Sequence, residues 1–304
     1  MQIECKENCE IKQMTTFKVG GKVDKVYFPQ NQSELVYLLG SLKKYIVLGN
    51  CSNVLISSKG YRGNIILTTK MKEFHINGNC VTAECGVKGP LLAQQAAEAG
   101  LSGFEFMIGF PGTIGGEIYM NASAHGQSIS DRLKRCCLYD TEKREIVYKE
   151  KPELDFGYRK SALQDGRYVL LGAEFELIKG SKDEIKALME RNLSSRKEIQ
   201  PNLNFPNAGS VFKNPENDSA GRLLDKAGGK DLKAENAEVW KNHANFIVNK
   251  GDATSLDILN LMLKMYTSVK EKFTIELTPE IIYLGEMTKE EEKICKVLYK
   301  KLQK

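Results

Sequence analysis

Gly109-Phe-Pro-Gly-Thr-Ile-Gly-Gly116 is the stretch of sequence that says most about the fold, and Met120-Asn-Ala-Ser-Ala-His-Gly126 follows it closely. Glycine lets the backbone approach a ligand and permits positive φ, so successive N–H groups can converge on a pyrophosphate. Taken alone, such a stretch is more often a tight structural turn. A second small, polar loop, Leu48-Gly-Asn-Cys-Ser-Asn53, directly follows an apolar strand pattern. Two loops of this kind predict one dinucleotide held between them.

The sequence lacks the common fingerprints of other nucleotide-binding and hydrolytic folds. No GxGxxG stands at a strand-to-helix junction, and no GxxxxGK[ST] or GxSxG occurs. Only three histidines are present, namely His75, His125 and His243. Rossmann and P-loop folds, serine-hydrolase chemistry and multi-histidine metal sites are therefore poorly supported, and no metal site is predicted.

Composition indicates a folded globular protein. The 304 residues are 41% hydrophobic and 27% charged, which fits two or three lobes of ordinary size. No apolar run is long enough to span a membrane, and the first ten residues, MQIECKENCE, do not form a signal peptide. We therefore expect a cytoplasmic chain.

The net charge argues against a nucleic-acid-binding protein, and the cysteine spacing argues against a disulfide-bonded or zinc-binding protein. The net charge is +5, but the last eighteen residues hold six lysines and three glutamates, which leaves +2 on the body. A nucleic-acid-binding protein needs a basic face on the fold itself, so that class is disfavoured. The eight cysteines match no CxxC or zinc spacing and are predicted to be reduced thiols.

Hydrophobic periodicity predicts two α+β lobes with a boundary near residue 180. A capping-box pattern, Ser181 with Glu184, begins a helix that runs toward Lys197. A helix over Leu256–Val269 is predicted to be capped by Asp252 or Thr254, another begins at Ser33, and a fourth runs from Pro90 to Gly100. Predicted strands are 23–28, 45–48, 65–68, 81–85, 136–139, 145–148, 168–178, 246–249 and 275–284.

Three more segments carry polar groups that chemistry could use. They are Asn207-Ala-Gly-Ser-Val-Phe-Lys-Asn-Pro215, Asp155-Phe-Gly-Tyr-Arg-Lys-Ser161 and Glu276-Leu-Thr-Pro-Glu-Ile-Ile282. Each has an ordinary explanation by itself. Ser210 can cap a turn, Arg159 can be a surface charge, and Glu280 can simply follow a proline.

Together, these segments resemble one family, the UDP-N-acetylenolpyruvoylglucosamine reductases, which are the MurB flavoproteins of bacterial peptidoglycan synthesis. The resemblance spans residues 15 to 286 in the order of the family. Its pieces are Thr15-Thr-Phe-Lys-Val-Gly-Gly21, the loop from Gly49 to Asn53, GFPGTIGG with MNASAHG, Tyr158-Arg159, NAGSVFKNP, His243-Ala-Asn-Phe-Ile-Val-Asn249 and Pro279-Glu280.

The resemblance implies an α+β protein with a two-subdomain FAD-binding fold of the vanillyl-alcohol oxidase (PCMH) type and a C-terminal α+β substrate-binding domain. We therefore expect FAD-binding subdomains at residues 1–75 and 76–180, a UDP-sugar domain at 181–286, and an amphipathic C-terminal helix at 287–304. The implied reaction passes hydride from NADPH to FAD and then to the enolpyruvyl double bond, giving UDP-N-acetylmuramate. The expected partners are these small molecules, without nucleic acid, and the expected assembly is a monomer.

Three residues match the catalytic positions of the family. Hydride addition to one alkene carbon spreads negative charge into the adjacent carboxylate, so a site must stabilise that charge and supply a proton. By the family's motif Ser210 is the proton donor, while Arg159 and Glu280 engage the carboxylate, Arg159 through a planar fork of donors. Glu280 has to be protonated, or bridged by a proton or cation, and the sequence leaves this open.

The resemblance also assigns binding residues. For FAD these are Gly49, Asn50, Cys51, Ser52, Asn53, Pro111, Gly112, Thr113, Gly115, Gly116, Asn121, Ala122 and Gly126. For the substrate they are Tyr158, Lys213, Asn214, Lys230 and His243. A structural role is an equally open alternative for His243.

The chain departs from the family pattern at a few positions. Cys51 stands where the first FAD loop usually has glycine, Phe110 replaces a common isoleucine, and Gly228-Gly229 replaces Gly-Leu. The spacing between Arg159 and Ser210 leaves no room for the extra loop of the longer form, so this chain resembles the shorter type II form.

The C-terminal tail lies outside the resemblance. Thr288 and Glu291 form a capping-box pattern, and the apolar residues that follow share one helical face, namely Ile294, Val297, Leu298 and Leu302. This helix is expected to pack against its own third domain, with contact to a membrane surface or partner as the alternative.

Two other functions stay open at this level. One is an FAD-fold oxidoreductase acting on a different substrate, and the other is a flavin-binding protein that has lost catalysis. The presence of Ser210, Arg159 and Glu280 argues against both.

Overall fold

The computed structural model describes residues 2–202 and 204–300. The helices are α1 Gln32–Ser41, α2 Gly89–Glu98, α3 Ile114–Tyr119, α4 Lys182–Ile199, α5 Ala220–Lys226, α6 Ser255–Phe273 and α7 Lys289–Leu298. The strands are β1 Cys5–Glu10, β2 Lys22–Tyr27, β3 Tyr45–Leu48, β4 Val54–Ile56, β5 Tyr61–Leu67, β6 Phe74–Asn77, β7 Cys80–Glu84, β8 Leu101–Ser102, β9 Ser123–Ala124, β10 Gln127–Ser128, β11 Leu133–Asp140, β12 Glu145–Glu150, β13 Tyr168–Glu176, β14 Ile178–Lys179, β15 Ala237–Val239, β16 Ile247–Asn249 and β17 Ile282–Leu284.

Helix starts follow the predicted capping chemistry, with small shifts. Thr254 caps α6 by accepting a hydrogen bond from the Asp257 N–H, which decides between the two predicted caps. Helix α2 carries Pro90 in its first turn, and Gly100, with φ of +72°, follows its end. The first helix was predicted from Ser33, but Asn31 is the cap.

The predicted strand over residues 275–284 is wrong for most of its length. Only Ile282–Leu284 is a strand, paired in parallel with β4. Upstream, Pro279 has no N–H and makes only an isolated bridge with Phe212. The chain there is extended but forms no continuous ladder.

The main sheet of the protein is antiparallel, in the order β12-β11-β13-β7-β6. Its register pairs Cys136 with Ala173 and Ala173 with Ala83, so small side chains meet across three neighbouring strands. The first FAD-type loop starts elsewhere, at the end of β3, which pairs in parallel with β5.

The chain folds into two compact units. The first comprises the residues up to Lys6, Lys25–Asn50 and Asn64–Arg196, and the second comprises Glu7–Asp24, Cys51–Gly63 and the chain from Lys197 onward. Each unit has its own core, built around Phe104, Phe106 and Phe175 in the first and around Phe17 and Phe212 in the second. The ligand-binding subdomains predicted at 1–75, 76–180 and 181–286 stay a prediction.

Helix α7 is an integral part of the second unit. Thr288 and Glu291 form the predicted capping box, and Ile294 and Leu298 are buried against the core of that unit. Val297, predicted on the same face, is 37% exposed, and the buried position belongs to Cys295. Leu302 lies outside the described residues. The observed packing favours the expectation that this helix packs against its own domain over contact with a membrane surface or partner.

Two predictions from composition have structural counterparts. All eight cysteines lie within the described residues, and none of them forms a disulfide. No helix within the described ranges has the length and hydrophobicity needed to cross a bilayer.

Replacing Glu291 with alanine tests the attachment of α7. Glu291 is 2% exposed, and its carboxylate accepts hydrogen bonds from Ser255 Oγ at 2.6 Å and from the Thr288 N–H at 2.7 Å. Glu291→Ala should lower the free energy of unfolding by about 2–3 kcal/mol because buried donors lose their acceptor. Glu290→Ala, at the exposed neighbouring position, should change it by less than about 0.5 kcal/mol. Equal effects in urea titrations would contradict this role.

Candidate functional site

Two of the predicted FAD-binding segments touch each other within the first unit. The Asn50 side chain donates a hydrogen bond to the Pro111 carbonyl at 2.6 Å. A Cβ on Gly49 would overlap with Thr113 Oγ1, so only glycine allows this approach. The end of β3 and the Pro111–Thr113 turn therefore form one continuous loop surface.

The glycines after this turn serve packing as well as ligand access. Ile114 donates its N–H to the Val87 carbonyl at 2.9 Å, and Gly115 donates to the Cys85 carbonyl at 2.8 Å. A Cβ on Gly115 would lie 3.0 Å from that same Cys85 oxygen. Helix α3, which contains Gly115 and Gly116, is thus held tightly against the end of β7.

The rest of the first FAD loop belongs to the second unit. Cys51 is 4% exposed and has a φ of +50°, the left-handed region that the glycine of the family pattern adopts easily. Its carbonyl accepts hydrogen bonds from the N–H and the hydroxyl of Thr16. Burial raises the pKa of the Cys51 thiol to about 12, so it is neutral. Ser52 follows in a turn, and Asn53 reaches the segment that carries Glu280.

The residues of the first unit fit a dinucleotide cofactor. Thr113 Oγ1 and Asn121 Oδ1 are buried, and neither has a hydrogen-bond partner in the described part of the chain. Buried polar atoms are nearly always paired, so these two are suited to polar groups of a ligand. The backbone of Gly49, which has no Cβ, passes directly beside Thr113. These features support the binding of FAD at the surface formed by the end of β3 and the Pro111–Thr113 turn.

The MNASAHG segment forms a tight hairpin next to this surface. Ala122 donates its N–H to the Glu117 carbonyl at 2.8 Å and accepts from Ile129 at 3.0 Å. His125 and Gly126, with φ of +52° and +77°, make the turn between β9 and β10. The backbone therefore turns sharply where the resemblance places cofactor contacts.

Arg159 is fixed to this hairpin. It occupies a left-handed position, φ +53°, in a turn closed by hydrogen bonds between Gly157 and Lys160. Its guanidinium donates to Ser123 Oγ at 2.8 Å and lies 5.1 Å from the ring centre of Tyr158, which is 53% exposed. The Asn121 side chain donates to the Gly157 carbonyl at 2.9 Å. The predicted FAD hairpin and the predicted carboxylate-binding arginine are one local structure.

Ser210 and Glu280 are brought together in the second unit. The Glu280 N–H donates to the carbonyl of Val211, the residue after Ser210, at 2.8 Å. The Asn53 side chain donates to the Glu280 carbonyl at 3.1 Å. Ser210 itself bridges to Phe246 on its other side. Hydrogen bonds to the backbone of Glu280 thus connect it to Asn53 and to the segment that contains Ser210.

The predicted substrate-binding residues of the second unit form two groups. Lys213 donates its N–H to the Thr278 carbonyl at 2.9 Å, and Asn214 Oδ1 accepts from Ala220 at the start of α5. Lys230 lies close enough to His243 to contribute, with burial as the larger cause, to a lowered imidazole pKa. His243 Nδ1 also accepts the Asn245 N–H at 3.2 Å, which is a structural contact.

Sequence reasoning missed several residues that shape the site. Asn245, inside the quoted His243–Asn249 stretch, is 3% exposed and bonds the Phe212 backbone through both ends of its amide. Glu117 and Arg196 were also missed. The signal for Glu117 was a lone carboxylate in an apolar run, directly after Gly115-Gly116.

Replacing Gly49 with alanine tests the contact between the two loops. The added methyl group cannot coexist with Thr113 Oγ1, so the loops must separate. We expect at least about a tenfold loss of FAD affinity, measured by flavin fluorescence. A loss of about 1.4 kcal/mol of binding free energy is enough to weaken the affinity tenfold. Gly40→Ala in α1, where the nearest atom is Tyr139 Oη at 3.6 Å, is the matched control and should bind FAD normally. Unchanged affinity in Gly49→Ala would show that the loops do not hold the cofactor.

Comparison with known proteins agrees with this geometry. Residues 23–140 match the family model of an FAD binding domain, and residues 200–284 match the C-terminal domain of UDP-N-acetylenolpyruvoylglucosamine reductase. The reductase of Caldicellulosiruptor bescii is 43% identical, covering 93% of this chain and 92% of that protein, and that of Clostridioides difficile is 37% identical, covering 91% and 92%.

A solved structure is similar over nearly the whole length. The crystal structure of UDP-N-acetylenolpyruvylglucosamine reductase (MurB) from Thermus caldophilus has a TM-score of 0.81 and 33% identity, covering 94% of this chain and 100% of that one. The predicted α+β class, with an FAD-binding domain and a C-terminal domain of this reductase family, is confirmed. The chain belongs to the UDP-N-acetylenolpyruvoylglucosamine reductase family.

Proposed function

We propose that this chain reduces UDP-N-acetylglucosamine enolpyruvate to UDP-N-acetylmuramate, with FAD as its cofactor and NADPH as the hydride donor. It is a flavin-dependent UDP-N-acetylmuramate dehydrogenase of peptidoglycan precursor synthesis. The observation that carries the assignment of roles is the hydrogen bond from the Glu280 N–H to the Val211 carbonyl, because it joins the segment that contains Ser210 to the segment that contains Glu280.

FAD, when bound, would supply the hydride-transfer chemistry between NADPH and the enolpyruvyl double bond, which the side chains cannot supply. The chain's own residues bind and orient the reactants around it. The backbone N–H groups of Gly112, Thr113 and the Gly49–Asn53 loop would hold the pyrophosphate, and Thr113 and Asn121 would offer their buried polar atoms.

Ser210 supplies the proton that completes the reduction. Once one alkene carbon has received hydride, the other carries developing negative charge and needs a donor within hydrogen-bond reach. The bridge of Ser210 to Phe246 and the Val211–Glu280 bond fix the backbone of Ser210 from both sides. A hydroxyl on a rigid backbone can be aimed at one carbon atom.

Arg159 and Glu280 stabilise the charge that spreads into the substrate carboxylate. The guanidinium group of Arg159 presents planar donors that match a carboxylate. Its left-handed turn and its bond to Ser123 limit the freedom of the side chain. Glu280 acts in a protonated or cation-bridged form, since a bare carboxylate would oppose the developing charge.

The remaining polar residues bind the UDP-sugar. Lys213, Lys230 and His243 present positive or hydrogen-bonding groups to phosphates, while Asn214 and Tyr158 suit the polar and planar parts of the nucleotide. We further propose that the enzyme is a monomer of the cytoplasm that serves cell-wall growth, cell shape and division.

An absorbance spectrum from about 300 to 550 nm tests the proposal directly, because flavin and its reduction are both visible there. The purified protein should be yellow, should bleach with NADPH under anaerobic conditions, and should regain colour with the enolpyruvyl UDP-sugar. A protein that cannot be loaded with FAD would overturn the cofactor. A protein that bleaches but does not react with the sugar would indicate a different substrate. A protein that binds FAD but never bleaches would indicate a flavin-binding protein without catalysis.

Ser210→Ala should separate the two halves of the reaction. FAD binding and bleaching by NADPH should stay normal, whereas return of colour with the enolpyruvyl sugar should slow by about three orders of magnitude, because only the proton donor is lost. Stopped-flow absorbance measures both steps. If both slowed together, Ser210 would not be the proton donor.

Arg159→Lys should also impair the sugar half-reaction, although it preserves the charge. A lysine ammonium group cannot make the two parallel hydrogen bonds of a guanidinium, so we expect at least about a hundredfold loss of kcat/KM. Lys160→Arg, at the neighbouring position that pairs with Asp155, is the control and should leave turnover unchanged. Near-normal turnover in Arg159→Lys would remove the residue from the site.

A further inference from the structure

Glu117 is a buried carboxyl group that the proposed chemistry does not use. It lies in α3 and is 3% exposed, and neither carboxylate oxygen has a hydrogen-bond partner in the part of the chain that the structure describes. Burial of an unpaired carboxylate is costly, so such a group in a native fold calls for an explanation.

The carboxyl group of Glu117 fills the space directly behind the Pro111–Thr113 turn. A Cβ on Gly112 would lie 3.0 Å from Glu117 Oε1, and a Cβ on Gly89 would overlap with the same oxygen. The backbone N–H of Gly89 donates to the Gly112 carbonyl across this space. Glu117 thus lies against the back of the turn whose front is the proposed pyrophosphate site.

Arg196, in α4, is the opposite charge that faces this carboxyl group. It is largely buried, and its guanidinium stacks 5.0 Å from the ring centre of Phe110. A Cβ on Gly109 would overlap with the Arg196 side chain, so this arginine lies against the loop as closely as Glu117 does. The Glu117 carboxyl group and the Arg196 guanidinium therefore both lie against the Gly109–Thr113 loop.

Burial raises the pKa of Glu117 to about 8, and Arg196 opposes this shift. Other titratable groups on the elements around α3 are engaged elsewhere or neutral. Burial raises the pKa of Cys85 to about 12, Asp131 bonds Ser128, Asp165 bonds the Arg167 N–H, Glu84 bonds the Glu73 N–H, Glu174 pairs with Lys134, and Lys88 is exposed at the start of α2.

We propose that Glu117 and Arg196 link cofactor binding to a proton: the anionic FAD pyrophosphate binds to the form of the protein in which Glu117 is protonated, while Arg196 supplies the counter-charge behind the loop. An ionised Glu117 would be a like charge close to the pyrophosphate in a medium of low dielectric constant, and protonation removes that repulsion. The proton comes from solvent. The inference rests on the proposed FAD function of the Gly109–Thr113 loop.

The dissociation constant of FAD as a function of pH tests this link. Full-length protein is stripped of FAD and titrated with FAD between pH 6.5 and 9 at constant ionic strength, with quenching of flavin fluorescence as the readout. With a midpoint near pH 8, the dissociation constant should rise about tenfold from pH 7 to pH 9, because only the protonated form binds well. Glu117→Gln should abolish the rise. Glu98→Gln, which removes an exposed carboxylate at the end of α2, should retain it.

Arg196 provides a second, independent variant if Glu117→Gln does not fold. Since the charge of Arg196 lowers the pKa of Glu117, Arg196→Met should move the midpoint to higher pH, and Arg196→Lys should leave it near the original value. A wild-type affinity that is constant with pH, a decline that persists in Glu117→Gln, or an unmoved midpoint in Arg196→Met would each overturn the inference.

The outcome separates this inference from the proposed function. A protein that binds no FAD at any pH contradicts the function itself. A protein that binds FAD with a constant affinity contradicts only the link to Glu117.

Discussion

The buried amide of Asn245 holds the segment on which the second unit builds its part of the site. The side-chain oxygen of Asn245 accepts the Phe212 N–H at 3.0 Å, and its side-chain nitrogen donates to the Phe212 carbonyl at 2.8 Å. The backbone carbonyl of Asn245 accepts the Val211 N–H at 2.9 Å. A short extended segment with no full ladder would otherwise bury unpaired backbone groups, each at a cost of about 1–3 kcal/mol. Once this segment is fixed, the backbone of Glu280 pairs with it, and Asn53 pairs with Glu280 in turn.

Left-handed backbone recurs at the residues proposed to act on ligands. Cys51, Asn121 and Arg159 all have φ between +43° and +53°. For residues with side chains this conformation costs roughly 1–2 kcal/mol each and persists only where neighbouring structure imposes it. Here the neighbours are identifiable, since Thr16 bonds Cys51, and Asn121 bonds Gly157 two residues before Arg159. This conformation makes a sharp turn in the backbone at each of these residues.

The C-terminal helix contributes to the same unit as Ser210 and Glu280. Besides the buried Glu291 carboxylate, Tyr299 donates its hydroxyl to the Ile281 carbonyl at 2.9 Å, one residue after Glu280. Strand β17, which follows directly, pairs with β4, which follows Asn53. The tail that lay outside the family resemblance therefore helps to position the backbone next to a proposed catalytic residue.

The sequence by itself predicted the α+β class, because capping residues and apolar periodicity act over a few residues. The resemblance of its motifs to one reductase family indicated the family and the loops proposed to bind ligands. Thr254 as a cap, Pro90 in a first turn and the glycines from Gly109 to Gly116 all follow such local rules. Tertiary structure alone decided that residues 278–280 pair with residues 211–213 without forming a strand, that Cys295 and not Val297 is buried, and that Glu117 faces Arg196. These depend on which distant segments become neighbours on folding, and burial, the pairing of backbone groups and the field of an opposite charge are all properties of that neighbourhood.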